Sequence, residues 1–338
     1  MVSDFYRDKY ILGLRSSLEI SQQSADFGRE LVKNGLNRVF FVACGAPNNE
    51  MASIKYWMDI YSKTIESHLY YPAEFICQSP AMLDQNSLVI LMSHSGKTPE
   101  IVEVAKFIKS FPCKVISITM DADSPLGKET ENHFCYGQSK ASFEAKFIIL
   151  VAMISAMMQE KGDWDLHEEM MIGLQAFPAL LAEAEEQSEE INREYANRFK
   201  NEEFYMVLGS GPCYATAYSF GVCTMMESLW LKIFVGEAAE FFHGPFEIVD
   251  EAIPVIVYLG EDPSRPIGER AVKFLKNHTD KLMVYDAKDF DLNRIPDSVR
   301  AILAPYIVGA ASNNFVNHLA VYRDHPVSTR RYMGKMEY

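Results

Sequence analysis

The sequence predicts an α/β protein in two halves, each a parallel sheet with helices on both faces. Three observations carry this. Short apolar runs alternate with longer amphipathic segments, and the order strand, small-residue turn, helix recurs about half a chain later. The length of 338 residues suits about two domains of ~150 residues each.

The elements follow in order. Residues 38–43, 88–92 and 114–119 read as buried strands between helical patterns. Residues 147–159 (FIILVAMISAMMQ) are too long for a strand and too short for a membrane span, so they read as a buried helix. A tract rich in Glu and Ala over 171–200 reads as helices, and a second set of strands begins at Phe204. FFVACGAP at 40–47 matches YMVLGSGP 165 residues later, and LVILMSHSG at 88–96 matches VIVYLGEDP 167 residues later. One duplicated unit explains both offsets. The expected division is a first domain over 1–165, a helical linker over 166–200 and a second domain over 201–338.

Composition narrows the function. Lys and Arg number 32 against 46 Asp and Glu, a formal net charge of −14 that disfavours nucleic-acid and anionic-membrane partners. The six cysteines lie in apolar stretches without CxxC pairs or Cys/His clusters at zinc spacing, so they are expected to be reduced core residues. The start MVSDFYRDKY has no signal-peptide pattern, which makes cytoplasmic localisation the expectation.

Ser93-His94-Ser95-Gly96-Lys97-Thr98-Pro99-Glu100 follows a strand and precedes the helical pattern IVEVAKFIK. Thr98 or a neighbouring hydroxyl suits the N-cap and Pro99 the first turn. Free amides, three hydroxyls and Lys97 then converge where a helix start favours a phosphate. The plainer alternative is that these hydroxyls only cap the helix. It is not a Walker loop, since GxxxxGK[ST] is absent. The turn at Cys44-Gly45-Ala46-Pro47 lends backbone amides to the same ligand, or else serves as a tight connection. At the repeat position the second half has Gly260-Glu261-Asp262, whose carboxylates repel a phosphate, and Gly209-Ser210-Gly211-Pro212 reads as structural.

Glu227 lies in the apolar helical stretch SFGVCTMMESLWLKIF. Burial among Met, Leu and Trp would make it a better proton acceptor near neutrality; the alternative is an exposed helix face. Sixteen residues later, His243-Gly244-Pro245 places a histidine at a turn, usually a surface position. A base, an acid and a fixed phosphate are the minimum for moving protons along an open-chain sugar phosphate.

These motifs resemble a known family. Two tandem sugar-isomerase (SIS) domains, Ser-x-Ser-x-x-Thr in the first and Glu followed by His-Gly-Pro in the second resemble the isomerase half of glucosamine-6-phosphate synthase. GEAAEFFHGPFEIVD and the tail HPVSTRRYMGKMEY are closer to the deglycases that split fructosamine 6-phosphates, such as fructoselysine-6-phosphate and fructose-asparagine-6-phosphate deglycases. The resemblance implies that Ser93, Ser95 and Thr98 hold the 6-phosphate, that Glu227 is the base and His243 the acid, and that no metal or redox cofactor is needed. It implies a homodimer with the active site where two subunits meet.

Departures bear on these roles. Cys44-Gly45-Ala46-Pro47 replaces the Cys-Gly-Thr-Ser of the synthase-like isomerases, so two hydroxyls are missing at Gly45's turn. The synthase's glutamine-cleaving half and its C-terminal catalytic lysine have no counterpart, Lys335 lying in a different motif. The expected activity is therefore deglycation of a small phosphosugar substrate to glucose 6-phosphate and a free amino acid. An aldose–ketose aminosugar-phosphate isomerase is the alternative within enzymes, and a noncatalytic phosphosugar sensor the alternative outside them. Arg265, Arg330 and Arg331 are candidates for an amino-acid carboxylate on the amine side, against a reading as solvated surface charges.

Overall fold

Continuous apolar runs buried on both faces give two wholly parallel sheets in the computed structural model, which describes residues 7–139 and 141–336. The N-terminal MVSDFY and the last two residues of the tail motif lie outside the described residues. The chain divides into two compact units at Pro178, with Ile295–Val299 grouped with the first.

The N-terminal unit runs through α1 (Arg7–Lys33), β1 (Arg38–Val42), α2 (Ala46–Tyr61), β2 (Glu66–Tyr70) and α3 (Pro72–Gln78). It continues through β3 (Ser87–Met92), α4 (Pro99–Phe107), β4 (Lys114–Thr119), α5 (Pro125–Glu129), β5 (Asn132–Cys135) and α6 (Ser142–Lys161). The strand order is β2-β1-β3-β4-β5, with Val42 of β1 in register with Leu91 of β3. All six residues of β3 are buried, as a central strand of such a sheet requires.

The helical tract after α6 forms α7 (His167–Gln187) and α8 (Glu189–Phe199). The C-terminal unit then builds β6 (Phe204–Gly209), α9 (Pro212–Phe220), a π-helical turn (Gly221–Met226), α10 (Glu227–Leu229), β7 (Lys232–Glu237), β8 (Val255–Leu259), α11 (Arg265–Leu275), β9 (Leu282–Asp286) and α12 (Asp297–Tyr322). Its sheet order, β7-β6-β8-β9, repeats that of the first four strands of the other unit, and Met206, Leu208, Val257, Phe241 and Leu275 pack in one core. In each sheet the order reverses between two neighbouring strands, β1 and β3 or β6 and β8. Ligand crevices form at the carboxyl ends of such a pair.

The expected buried helix is α6, which is apolar all round and packs along α1. Of its most apolar stretch 83% is buried, which makes it a core helix. Gly28 lets the two helices approach, because a Cβ there would stand 2.9 Å from the Met153 carbonyl oxygen. The Ser24 hydroxyl donates to the Ile149 carbonyl at 3.0 Å across the same contact. All six cysteines are free thiols, as expected, but only Cys213 is a core residue. Cys77 is exposed at the end of α3, and the other four are half-buried.

Candidate active site

The turn after β3 is an anion cradle in form. Ser93 is buried, and its Oγ lies 3.1 Å from the Thr98 hydroxyl and accepts from the Gly96 amide at 3.2 Å. Ser95 Oγ accepts from the Lys97 amide at 3.2 Å. Gly96 turns the loop at φ +63°, where a Cβ would meet Ser124 Oγ at 2.4 Å. Thr98 sits at the N-cap of α4 and Pro99 opens the helix, yet the Thr98 side chain makes no capping bond. The capping expectation is corrected there: with no side chain satisfying the first turn, its amides are open to an exogenous anion.

Gly45 holds the N-cap of α2 at φ 63° and ψ −141°, again without a side-chain cap. Because β1 and β3 are in register, the Gly45 and Ser93 turns leave the sheet side by side at the order reversal. Beside the first lies Cys44, whose thiol burial pushes up, with the Glu100 carboxylate adding to the effect.

The equivalent turn of the C-terminal unit is filled by the protein itself. Asp262 Oδ1 accepts from the amide and the hydroxyl of Ser264 at 2.9 and 2.5 Å, so a carboxylate occupies the anion position. Arg265 is clamped by Asp286 at 2.6 and 2.8 Å and by Glu269 at 2.7 Å. It is neither a solvated surface charge nor free for a substrate.

Glu227 departs from its expected setting. The helix carrying it passes through the π-helical turn, then a three-residue α10, and ends at Trp230 with a left-handed φ of 58°. This irregular backbone rotates Glu227 out of the core, leaving its side chain 27% exposed and ion-paired to Arg330 at 3.0 Å. Burial in an apolar environment, expected from the surrounding Met and Leu, is therefore not found.

His243 is exposed, as a turn residue should be. Its amide donates to the Glu240 carbonyl at 2.9 Å, and Gly244 follows at φ 131°. The turn is anchored by Phe241 and Phe242, whose rings pack on Phe246 and Phe274. Among the described residues no hydrogen bond or ion pair joins His243 to Glu227. Arg331, next along the tail, lies over the Trp230 ring at 4.2 Å and has no carboxylate partner among the described residues.

Two arrangements in the N-terminal unit escaped the sequence reading. The imidazole of His94, inside the anion turn, has Nδ1 2.7 Å from the hydroxyl of buried Tyr136. Lys146, fully buried on α6, stands 3.4 Å from Oε1 of equally buried Glu50. Desolvation pushes the Glu50 carboxyl up to about 8 and the Lys146 ammonium down. Only the rarity of charge on an apolar helix could have pointed to Lys146, and nothing local to its partner.

Residues 34–159 match the SIS domain family. Over 96% of its length the chain is 35% identical to fructosamine deglycase FrlB of Bacillus subtilis, covering 99% of that protein. It is 28% identical to the fructoselysine 6-phosphate deglycase of Escherichia coli over 90% of this chain and 88% of that one. A crystal structure of a Bacillus subtilis protein described as a phosphosugar isomerase superposes with a TM-score of 0.90 at 35% identity, covering 96% of this chain and 99% of that one.

Proposed function

This chain belongs to the SIS-domain family of phosphosugar isomerases and deglycases, and from that premise we propose that it is a deglycase, converting an amino-acid fructosamine 6-phosphate and water to glucose 6-phosphate and the free amino acid. The observation that carries the reading is the uncapped start of α4 with Ser93, Ser95 and Thr98 around it. A dianion is the ligand such a turn favours, and the fructoselysine 6-phosphate deglycase relative is named for a substrate that carries one.

The 6-phosphate is assigned to Ser93, Ser95, Thr98 and the backbone at Gly45. Fixing it supplies binding energy remote from the reacting carbons, which positions them. His243 assists ring opening and protonates the C2 oxygen as Glu227 takes the proton from C1, giving the enaminol. Return of a proton to C2 places the double bond between C1 and nitrogen. Water adds to C1 of that imine, the C1–N bond breaks, and the amine leaves with the aldehyde of glucose 6-phosphate remaining. His243, exposed and without a side-chain partner among the described residues, suits a residue that completes its site in a homodimer. Of the two tail arginines Arg330 is engaged by Glu227, so the amine-side carboxylate is assigned to Arg331.

The test is a panel of 6-phosphorylated fructosamines, with release of glucose 6-phosphate and of amino acid measured together. Equimolar release supports the reading. An aminosugar phosphate without free amino acid would replace it with isomerisation, and binding without turnover would replace it with sensing. Glu227→Gln should abolish turnover while phosphosugar binding persists; full activity in that variant removes Glu227 from the role of base.

A further inference from the structure

We infer that Arg330 is a positioning residue for Glu227, held in place by the C-terminal segment. The inference rests on the reading of Glu227 as the base. Its Nη2 meets Glu227 Oε1 at 3.0 Å, while Nη1 donates to the carbonyls of Val327 and Thr329 at 2.7 and 2.9 Å. The guanidinium is thus fixed by its own backbone before it reaches the carboxylate, and Lys335 closes the loop by donating to the Arg330 carbonyl at 2.5 Å.

A second contact holds the same turn of chain. Trp230, three residues after Glu227, is the left-handed residue that ends its helix. Arg331 covers its ring at 4.2 Å, and His325 packs edge-on against it with centroids 4.6 Å apart. Consecutive arginines of the tail therefore grip Glu227 and the residue that ends its helix. Glu227 lies in the last turn of the continuous helical run that begins with α9, where a helix frays most readily, and a carboxylate 27% exposed has several rotamers open to it. The guanidinium selects one of them. A carboxylate that removes a carbon-bound proton must be held within a fraction of an ångström, and misplacement by ~1 Å costs on the order of a hundredfold in rate.

The experiment compares steady-state kinetics of wild type, Arg330→Ala, Arg330→Lys and Arg331→Ala on a fructosamine 6-phosphate that the wild type turns over. Arg330→Ala should lower kcat about tenfold to a hundredfold with KM within about twofold. Guanidinium ion added to the assay should restore part of that kcat, and Arg330→Lys should retain more activity than Arg330→Ala. Arg331→Ala should instead raise KM for substrates bearing an α-carboxylate, and added guanidinium should leave its kcat unchanged. An unchanged kcat in Arg330→Ala, or a loss that neither Lys nor guanidinium relieves, would overturn the inference. A rise in KM confined to substrates bearing an α-carboxylate, with kcat intact, would also overturn it and give Arg330 to the amine half of the substrate. Glu227→Gln separates the two readings: if it keeps full turnover the base assignment fails, whereas an inactive Glu227→Gln beside an unaffected Arg330→Ala sinks only the positioning role.

Discussion

The hydroxyl of Tyr136 stands 2.7 Å from Nδ1 of His94, tying an exposed imidazole in the anion turn to a fully buried anchor. Burial pushes the phenol well above its ordinary range, so it keeps its proton. Its one hydrogen-bond partner among the described residues is that nitrogen. Tyr136 therefore donates, and His94 carries its own proton on Nε2. Partial desolvation of the ring, with nearby Lys146 adding to it, lowers the imidazole pKa and favours this neutral form. The turn thus presents a side-chain N–H donor beside its amides.

Tyr136→Phe should free that ring at little cost elsewhere. A hydrogen bond is worth about 0.5–1.5 kcal/mol, so phosphosugar affinity should fall by about two- to tenfold. Titration calorimetry with a nonreacting sugar 6-phosphate measures it. His94→Ala should weaken binding similarly, and the double variant should lose no more than His94→Ala alone. Additive losses would mean that Tyr136 acts on something other than His94.

Gly96→Ala tests the turn's backbone. A methyl group there would stand 2.4 Å from Ser124 Oγ, and a residue with a Cβ is strained at φ +63°. Ser124 is itself fixed, its side chain accepting from the Gly127 amide at 3.2 Å to cap α5. The loop must therefore move, pulling the Gly96 amide away from Ser93. A stability loss of about 1–3 kcal/mol in urea, with phosphosugar binding weakened more than tenfold, is the expected outcome. Wild-type binding in this variant would show that the turn's shape is not what holds the anion.

What the sequence made legible follows from how far each signal travels along the chain. β1, β3 and β6 announce themselves because strands buried on both faces read as apolar runs, and β4 (KVISIT) by its β-branched Val and Ile. The edge strand β2 (ESHLY) is half-exposed and polar, so no such run marks it. The turn after β3 was readable because strand, hydroxyls and helix start are contiguous. Glu227 stood out as a carboxylate among Met, Leu and Trp, which suggested burial, but the π turn just before it changes which face of the helix it occupies. Its contact with Arg330 joins residues far apart in sequence, as does that of Glu50 with Lys146, and no local pattern encodes such pairings.

The Glu50–Lys146 pair yields a third prediction. Among the described residues the Lys146 ammonium, 3.4 Å from Oε1, is the main compensation for the buried Glu50 carboxyl. Lys146→Met should destabilise the fold by about 1–3 kcal/mol, because it leaves a buried carboxyl without its polar partner. Adding Glu50→Leu should recover most of that loss, since apolar replacement of both partners is often neutral. Urea midpoints of the two variants decide the matter. A double variant no more stable than Lys146→Met would mean that the loss came from packing.

His167 contributes a pH dependence to the stability of the N-terminal unit. It is 2% exposed at the start of α7, and its Nδ1 lies 2.8 Å from Ser155 Oγ. Ser155 spends its own hydroxyl proton on the Ala152 carbonyl at 3.0 Å, so it accepts from Nδ1–H and the ring is neutral. A second proton would place a charge in the interior at the positive end of a helix, beside Arg29. Burial, and after it Arg29, push the imidazole down to about 4 from an ordinary value of 6.5. Between those values the unfolded chain binds a proton that the native chain refuses, so stability declines as pH falls. The contribution is fully present above pH 6.5, is lost progressively down to about 4, and changes no further below that. His167→Asn keeps an N–H for Ser155 and removes the titrating ring. Its urea midpoint should be lower than wild type at pH 7 but fall less between pH 7 and 4, and the carboxylates that titrate in both proteins cancel in that comparison. Parallel curves over the window would mean that His167 takes up its proton in the native state as readily as in the unfolded one.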